Sequence, residues 1–333
     1  MQGEFLRGVN LGGWLLLERW MTPSLFKGTG AIDEYTFMQT SGAERKIDRH
    51  RREFMSEEDF QWLASSGINA VRIPVGYWIL EGDWSYRAAP ERLDWAMDMA
   101  QKYNLRVIID VHGLPGSQNG RDHSGRVGRS DWFRSRSYRK QSIQSVASIA
   151  RRYSGHDALW GIQVINEPRL GLFHWKLRRY YYEVHQRLSA ILRPETAIII
   201  SDAFTPRLMS GALRQAARKH PVAMDVHSYH MATPGSTHRS VEWFFSKLKR
   251  RQRLFERLSA EQPIVIGEWS GVMSHKTMRQ VPKVQRQQLF EQYVRLQQEV
   301  YGVTAGWFYW NYKTEGTGQW NFRSQVEAGL IEL

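Results

Sequence analysis

Eight short apolar segments constrain the fold of this chain more than any other feature of its sequence. They span residues 5–10, 69–75, 105–113, 158–168, 196–202, 222–230, 263–270 and 305–311. Segments with helical periodicity follow the first seven, at 56–67, 90–103, 138–153, 175–192, 206–220, 240–259 and 285–302. Unbroken β-then-α alternation indicates parallel strands joined by crossover helices, and eight strands favour a closed (β/α)8 TIM barrel.

The alternative to a closed barrel is an open, doubly wound sheet. Such a sheet is expected to carry a glycine-rich phosphate-binding turn, G-x-G-x-x-G, after an early strand. The segment at 10–16 reads NLGGWLL and does not fit that pattern. The barrel is therefore favoured, and no nucleotide site is supported.

One domain spanning residues 1–333 is predicted, because no solenoid-length repeat, low-complexity tract or Pro/Ser-rich linker divides the sequence. Hydrophobic residues make up 42% of the chain, which is enough for a large core. The absence of cysteine excludes disulfides, thiolate metal ligands and a thiol nucleophile. No apolar segment approaches the roughly 20 residues that a membrane span requires.

The N-terminal segment predicts little about the compartment. Residues 1–7 lead directly into the first strand and lack the basic and apolar regions of a secretion signal. We expect a cytoplasmic protein, or a secreted or periplasmic one if a signal peptide has been removed. We also expect a monomer.

Basic residues exceed acidic ones by 46 to 33 and concentrate in two segments. Clustered Lys and Arg are what nucleic-acid binding needs, but no nucleic-acid-binding motif accompanies them, so no nucleic-acid partner is predicted. The segment 247–257 is interpreted as the solvated face of a helix with Leu248, Leu254 and Phe255 turned inward. The segment 121–139 lacks helical periodicity and is predicted to be a long loop, where an anionic ligand could bind.

Polar residues follow the apolar segments at the positions where the strands end. In a (β/α)8 barrel the carboxyl ends of the strands carry the active site, so these side chains are expected to converge. They are Arg72, Asp110, His112, Asn166, Glu167, His227, Tyr229, Glu268, Trp310 and Asn311, with Asn10 and Glu18 in the first loop.

Glu167 and Glu268 follow the fourth and seventh strands, in IQVINEP and IVIGEWS. A retaining glycosidase sets two carboxyl groups about 5–5.5 Å apart, one as proton donor to the leaving oxygen and one as nucleophile at the anomeric carbon. These two strands lie across the barrel mouth from each other, which is compatible with that separation. Taken on spacing alone, two unrelated strand-end carboxylates remain an alternative.

The neighbours of the two carboxylates suggest their roles. Asn166 can donate a hydrogen bond to a sugar 2-hydroxyl, which marks Glu167 as the acid/base. Arg72 and Tyr229 can keep Glu268 ionised, as a nucleophile requires. Glu167 needs the opposite, and we expect a raised pKa from partial burial and from the negative charge of Glu268.

With these residues the sequence resembles glycoside hydrolase family 5, and within it the exo-β-1,3-glucanase-like branch. The resemblance covers nearly the whole chain. Its motifs are RGVNLGGWLLLERWMTPSLF at 7–26, VRIP at 71–74, DVHGLPGSQNG at 110–120, NEP at 166–168, HSY at 227–229 and GEWS at 267–270.

The resemblance implies Glu167 as acid/base and Glu268 as nucleophile, without a cofactor. It further implies that a group of polar and aromatic residues surrounds the sugar. The group comprises Arg72, His112, Asn166, His227, Tyr229 and Trp310, with Asn10, Glu18, Asn119 and Asp122 holding the terminal glucosyl unit. His112 and His227 could also be metal ligands, but no third ligand has convincing spacing, so no metal is predicted.

The chain departs from the pattern of this branch at two places. Where GSQNGFDNSG is frequent, it reads GSQNGRDHSG, with Arg121 in the aromatic position and His123 replacing an asparagine. After HSY, where a second aromatic residue is common, it has His230, Met231 and Ala232. The aromatic clamp for the leaving-side sugar is therefore missing, and Arg121 either contacts a charged or hydroxylated leaving group or faces solvent.

We interpret the chain as a retaining β-glucosidase or glucanase that hydrolyses a β-linked glucan or gluco-oligosaccharide, with the β-1,3 linkage favoured. Transglycosylation by the same residues is an alternative. A noncatalytic glucan-binding barrel is another, but binding alone does not require two carboxylates. A phosphate-handling barrel would need a glycine-rich turn near the last two loops, where the sequence has Trp269, Trp307 and Trp310.

Overall fold

Eight parallel strands form a closed barrel in sequence order, β1 to β8. The computed structural model describes residues 4–169, 174–231 and 235–333. The strands are β1 Leu6–Asn10, β2 Ala70–Gly76, β3 Arg106–Gly113, β4 Leu159–Gln163, β5 Ala197–Ser201, β6 Val222–His227, β7 Ile264–Trp269 and β8 Gly306–Tyr309. Seven predicted apolar segments each contain one of them, and the segment 69–75 contains all of β2 except its last residue, so the predicted single-domain (β/α)8 barrel is confirmed.

Twelve α-helices surround the barrel within the described ranges. They are α1 Pro23–Phe26, α2 Glu34–Met38, α3 Ala43–Glu53, α4 Glu57–Ser65, α5 Pro90–Lys102, α6 Arg136–Tyr153, α7 His174–Leu188, α8 Pro206–Met209, α9 Val241–Glu261, α10 His275–Gln280, α11 Arg286–Tyr301 and α12 Phe322–Glu327. None of these helices has the length and apolarity needed to cross a membrane.

The helix predicted over 206–220 is largely wrong. Only α8 and a short 3-10 turn, Ala216–Arg218, form there. The helix ends because Ser210 is extended (ψ 131°) and Gly211 adopts a left-handed conformation with φ +72°. A Ser-Gly pair within an otherwise periodic segment is thus enough to divide it.

The core has two layers. Side chains from the strands fill the barrel interior, including Leu6, Ile108, Val265 and Phe308. The ring of Phe308 occupies so much space that a Cβ on Gly8 would lie 2.3 Å from it, which explains the glycine. A larger apolar layer lies between the strands and the helices. This packing fixes the strand ends, and with them the polar residues that follow.

Candidate active site

A cavity of about 620 Å³ opens at the carboxyl ends of the strands. Eight residues predicted from the sequence line it: Glu18, His112, Asn166, Glu167, His227, Tyr229, Glu268 and Trp310. The ends of six strands and the loops after them contribute these side chains, so the cavity brings together residues up to 292 positions apart in the chain, Glu18 and Trp310.

Arg72 lies beneath the cavity, fully buried on β2. Its guanidinium donates to Glu268 Oε1 at 3.0 Å, to Asn10 Oδ1 at 2.7 Å and to Asn166 Oδ1 at 2.9 Å. Burial lowers the pKa of Arg72, but the carboxylates of Asp110, Glu268 and Asp225 outweigh burial and raise it above its usual value. Arg72 therefore stays charged and fixes three neighbouring side chains at once.

Glu268 accepts a hydrogen bond on each carboxylate oxygen. Arg72 binds Oε1, and the hydroxyl of Tyr229 donates to Oε2 at 2.9 Å. The side chain is only slightly exposed (6%), at the wall of the cavity. Both contacts stabilise the ionised carboxylate and hold it in one orientation.

Glu167 lies between two histidines. His227 Nδ1 contacts Oε1 at 2.8 Å, and His123 Nε2 forms an ion pair with Oε2 at 3.2 Å. Burial raises the pKa of Glu167, but these two histidines together lower it well below its usual range. The expectation of a raised pKa is therefore wrong for the free protein, because His123 and His227 outweigh both burial and the charge of Glu268.

The backbone of Glu167 is held in an unusual conformation with φ +40°. The amide of Asn119 donates to the carbonyl of Glu167 at 3.0 Å, and Gln118 donates to the carbonyl of Asn166 at 2.9 Å. Left-handed backbone costs a non-glycine residue free energy, so such contacts are needed to maintain it. The loop after β3 thus orients the side chain that follows β4.

His227 links the two glutamates. Its Nδ1 lies 2.8 Å from Glu167 Oε1 and 3.4 Å from Glu268 Oε2, and its Nε2 lies 3.0 Å from Asp225 Oδ2. Burial lowers the pKa of His227, but the carboxylates of Glu268, Asp225 and Glu167 raise it well above its usual value. Both ring nitrogens therefore carry protons.

A cluster of two carboxylates and an imidazole can also be a metal-binding site. Glu167, His227 and Glu268 each offer one ligand atom, and these atoms lie within 4.8 Å of one another. A metal needs a free lone pair on imidazole, whereas both nitrogens of His227 face carboxylate oxygens and hold protons. The arrangement fits proton transfer and carboxylate positioning better than metal binding.

His112 and Asn166 form a second buried group beside Glu167. His112 Nδ1 lies 2.5 Å from Asp110 Oδ2, and the amide of Asn166 lies 3.0 Å from His112 Nε2. Burial, followed by the charges of His123 and Arg72, lowers the pKa of His112 well below its usual value, so the ring is neutral. A neutral ring can donate to Asp110 and accept from Asn166, which leaves one N–H of Asn166 for a ligand.

Glu18 differs from the other carboxylates. Burial raises its pKa to about 8, and its oxygen Oε2 accepts from Trp20 Nε1 at 2.8 Å. A protonated carboxyl group can donate a hydrogen bond to a hydroxyl oxygen, so Glu18 offers both donor and acceptor to a sugar.

Besides Arg72, three predicted binding residues are not part of the cavity lining. Asn10 is fully buried and donates to the carbonyl of Gly267 at 2.9 Å. Asn119 contacts the backbone of Glu167, as described above. Asp122 begins the 3-10 turn Asp122–Ser124 that presents His123.

Seven further residues line the cavity. They are Trp20, Arg121, His123, Phe204, Met231, Arg251 and Trp320. Sequence reasoning singled out Arg121, His123 and Met231 only as departures from a pattern, and Ala232, named with them, lies outside the described residues. The solvent-facing interpretation of 247–257 is wrong for Arg251, which is half-buried and donates to Ser228 Oγ at 3.1 Å.

Comparison with known proteins agrees with this geometry. Residues 33–316 match the family model "Cellulase (glycosyl hydrolase family 5)". A probable glucan 1,3-beta-glucosidase A of Aspergillus niger is 31% identical over 373 residues, which cover 99% of this chain and 88% of that protein. A glucan 1,3-beta-glucosidase of Blumeria graminis is 30% identical over 387 residues, covering 98% of this chain and 86% of that protein.

Solved structures share the fold. The rutinosidase from Aspergillus niger superposes with a TM-score of 0.81 at 24% identity, covering 98% of this chain and 97% of that one. Thermotoga maritima Cel5A in complex with mannotriose gives a TM-score of 0.58 at 16% identity, covering 98% and 97%. With the family model and the full-length relatives, the comparisons lead to one conclusion: the chain belongs to glycosyl hydrolase family 5 and is a glycoside hydrolase.

Proposed function

We propose that this protein is a retaining β-glucosidase that releases glucose from β-1,3-linked glucan or gluco-oligosaccharide by double displacement. Glu268 is the nucleophile and Glu167 the acid/base. The names of the full-length relatives support the linkage.

The separation of the two carboxylates is the observation that carries the proposal. An oxygen of Glu167 and an oxygen of Glu268 lie within 4.8 Å of each other. Inverting enzymes need about 6.5–9.5 Å between carboxyl groups, because a water molecule must fit between sugar and base. The shorter separation supports direct attack by one carboxylate and retention of configuration.

In the first step an oxygen of Glu268 forms a bond to the anomeric carbon while the bond from that carbon to the leaving oxygen breaks. Glu167 delivers a proton to the leaving oxygen, and a covalent glycosyl-enzyme results. Arg72 and Tyr229 hold Glu268 in place before attack. The free N–H of Asn166 is suited to the sugar 2-hydroxyl, whose hydrogen bond strengthens as positive charge develops on the ring.

The proton for the leaving oxygen is held jointly by Glu167 and His123. Burial lowers the pKa of His123, but Glu167 and the other nearby carboxylates raise it to about 9, so the pair holds one proton at neutral pH. Transfer of that proton from Nε2 of His123 to Glu167 produces the carboxylic acid for the first step. In the second step ionised Glu167 accepts a proton from water, which attacks the anomeric carbon and releases Glu268.

This sharing predicts a pH effect of His123→Asn. With its pKa of about 9, His123 keeps the proton available into the alkaline range. In His123→Asn only Glu167 can hold the proton, so the proton is lost as the pH rises through the pKa of Glu167. The alkaline limb of kcat/KM against pH should therefore move to lower pH by about one unit or more, measured with a substrate of poor leaving ability.

His275→Asn is the matched control, since His275 is exposed at the start of α10. Its profile should coincide with that of the wild type. An alkaline limb unchanged in His123→Asn would remove His123 from the proton-holding pair.

The substrate is tested with β-1,2, β-1,3, β-1,4 and β-1,6 glucans, following the anomer of the first released glucose by NMR. We expect the β-1,3 substrate to be hydrolysed fastest, with β-glucose appearing first. Initial release of α-glucose would overturn the retaining mechanism, and faster hydrolysis of another linkage would overturn the substrate. Glu268→Gln serves as the blank for contaminating glucosidases.

A further inference from the structure

Two chemically different kinds of side chain line the cavity. Residues after β1 and β8 contribute aromatic rings, and Trp20 packs against Trp320 with ring centroids 5.6 Å apart. Two arginines also line it: Arg121, exposed on the loop after β3, and Arg251, half-buried on α9. Flat apolar rings suit the faces of a neutral sugar, whereas guanidinium groups suit anions.

Both arginines are connected to Glu167 through the two histidines that contact it. Arg121 lies two residues before His123, whose Nε2 is 3.2 Å from Glu167 Oε2. Arg251 donates to Ser228, the residue after His227, whose Nδ1 is 2.8 Å from Glu167 Oε1. A general acid lies beside the leaving oxygen, so the groups that flank it face the leaving unit of the substrate.

Among residues 4–169, 174–231 and 235–333, neither guanidinium has a carboxylate partner at ion-pair distance, although Arg251 and Asp202 interact electrostatically. By contrast, Arg72 neutralises Glu268, and the two histidines neutralise Glu167. The catalytic carboxylates thus have cationic partners at ion-pair distance, whereas within the described ranges the two arginines have no carboxylate that close.

The positive charge of Arg251 affects the titratable groups around it. Burial and then the charges of Arg251 and Arg250 lower the pKa of Lys247 to about 8. Burial, Arg251 and Lys247 lower the pKa of His230 well below its usual value. Arg251 therefore acts on its neighbours as a positive charge, and an anion bound next to it would offset that charge.

We propose that the leaving side of the cavity is an anion-binding subsite, in which Arg121 and Arg251 recognise a negatively charged group on the leaving unit of the substrate. The inference rests on the proposed function, since Glu167 defines the leaving side. A carboxylate, as in a uronic acid, and a phosphate ester share the required chemistry. Exposed Phe204 lines the same cavity, with its ring 6.2 Å from that of His227, and offers a face for the ring that bears the charge.

The test compares kcat/KM for the β-glucosides of 4-hydroxybenzoate and 4-hydroxybenzamide, which are nearly isosteric and differ in charge. The wild type should prefer the carboxylate. Arg121→Gln and Arg251→Gln should each reduce that preference by about fivefold, because each removes one charged contact. The ratio of kcat/KM for the carboxylate to that for the carboxamide is compared between wild type and variants, so the difference in leaving ability of the two phenols cancels. The β-glucoside of 4-hydroxyphenyl phosphate distinguishes carboxylate from phosphate as the recognised anion. The glucoside with the preferred anion should show the larger fall in kcat/KM on either arginine substitution.

Arg129→Gln and Arg250→Gln are the matched controls. Arg129 is exposed on the loop of Arg121, Arg250 is exposed on the helix of Arg251, and neither lines the cavity. Both controls should keep the wild-type preference. The subsite would be overturned if the wild type had the same kcat/KM for the carboxamide as for the charged glucosides. It would also be overturned if the controls lost the preference as much as the Arg121 and Arg251 variants do. Either result would leave the proposed glucosidase intact. Failure to hydrolyse any of these glucosides would overturn the glucosidase, and the subsite with it.

Discussion

Glu268→Gln should lower kcat by at least about 1,000-fold, since an amide has nearly the shape of the carboxylate but is a poor nucleophile. The fold should persist, because the amide oxygen can still accept from Arg72, and Asp110 remains 3.0 Å from that guanidinium. The measurement is turnover of an activated aryl β-glucoside, with mass spectrometry of the protein to detect the glycosyl-enzyme. Wild-type protein should accumulate the covalent adduct and the variant should not.

A smaller side chain gives a second readout of the same role. In Glu268→Gly, azide can occupy the vacated space and attack the anomeric carbon, so turnover of the activated glucoside should return with α-glucosyl azide as product. Azide added to wild-type protein is the control and should yield no α-glucosyl azide. Undiminished turnover in Glu268→Gln, or rescue that yields the β-azide, would contradict nucleophilic attack by this residue.

The strands and the polar residues at their ends could be predicted because both depend on local sequence. Segments such as 264–269 are short and apolar and can be recognised as strands from the sequence. Their number, eight, and their alternation with helices then favour a closed barrel. Since all parallel strands point the same way, residues that follow them must meet at one end. Glu268 on β7 and Glu167 after β4 accordingly line one cavity.

Contacts made by long loops and by helices could not be predicted in this way. The position of His123 depends on how the loop after β3 folds over the barrel mouth, and that of Arg251 on the packing of α9. Periodicity assigned Arg251 to a solvated face, since it cannot show that a long side chain reaches back to Ser228.

The pKa of Glu167 shows the same limit in electrostatic terms. From the sequence, two influences on Glu167 can be predicted: partial burial and the negative charge of Glu268. Both raise its pKa. The opposing histidines come from the loop after β3 and from the end of β6, at 3.2 and 2.8 Å from Glu167, and the sign of the shift depends on these distances. Residue types at strand ends therefore indicate the chemistry of a barrel site, whereas its protonation states require the three-dimensional arrangement.

Glu167→Ala should impair substrates in proportion to the basicity of their leaving group. A natural oligoglucoside releases a strongly basic alkoxide and needs the proton, so its kcat/KM should fall by about 1,000-fold or more. A 2,4-dinitrophenyl β-glucoside needs little protonation, and its first step should fall much less. The measurement is single-turnover kinetics across a series of aryl β-glucosides, plotted against the pKa of the departing phenol.

The slope of that plot separates acid catalysis from a merely structural effect. Removal of the Glu167 side chain also frees His123 and His227 from their carboxylate partner, which could disturb the cavity for every substrate. Glu167→Gln is the matched variant, because it keeps a side chain between the two rings but cannot deliver the proton. Both variants should show the same steepened dependence on leaving-group pKa. If the rate of the first step fell equally for activated and unactivated glucosides in both variants, Glu167 would not be the general acid and would have only a positioning role.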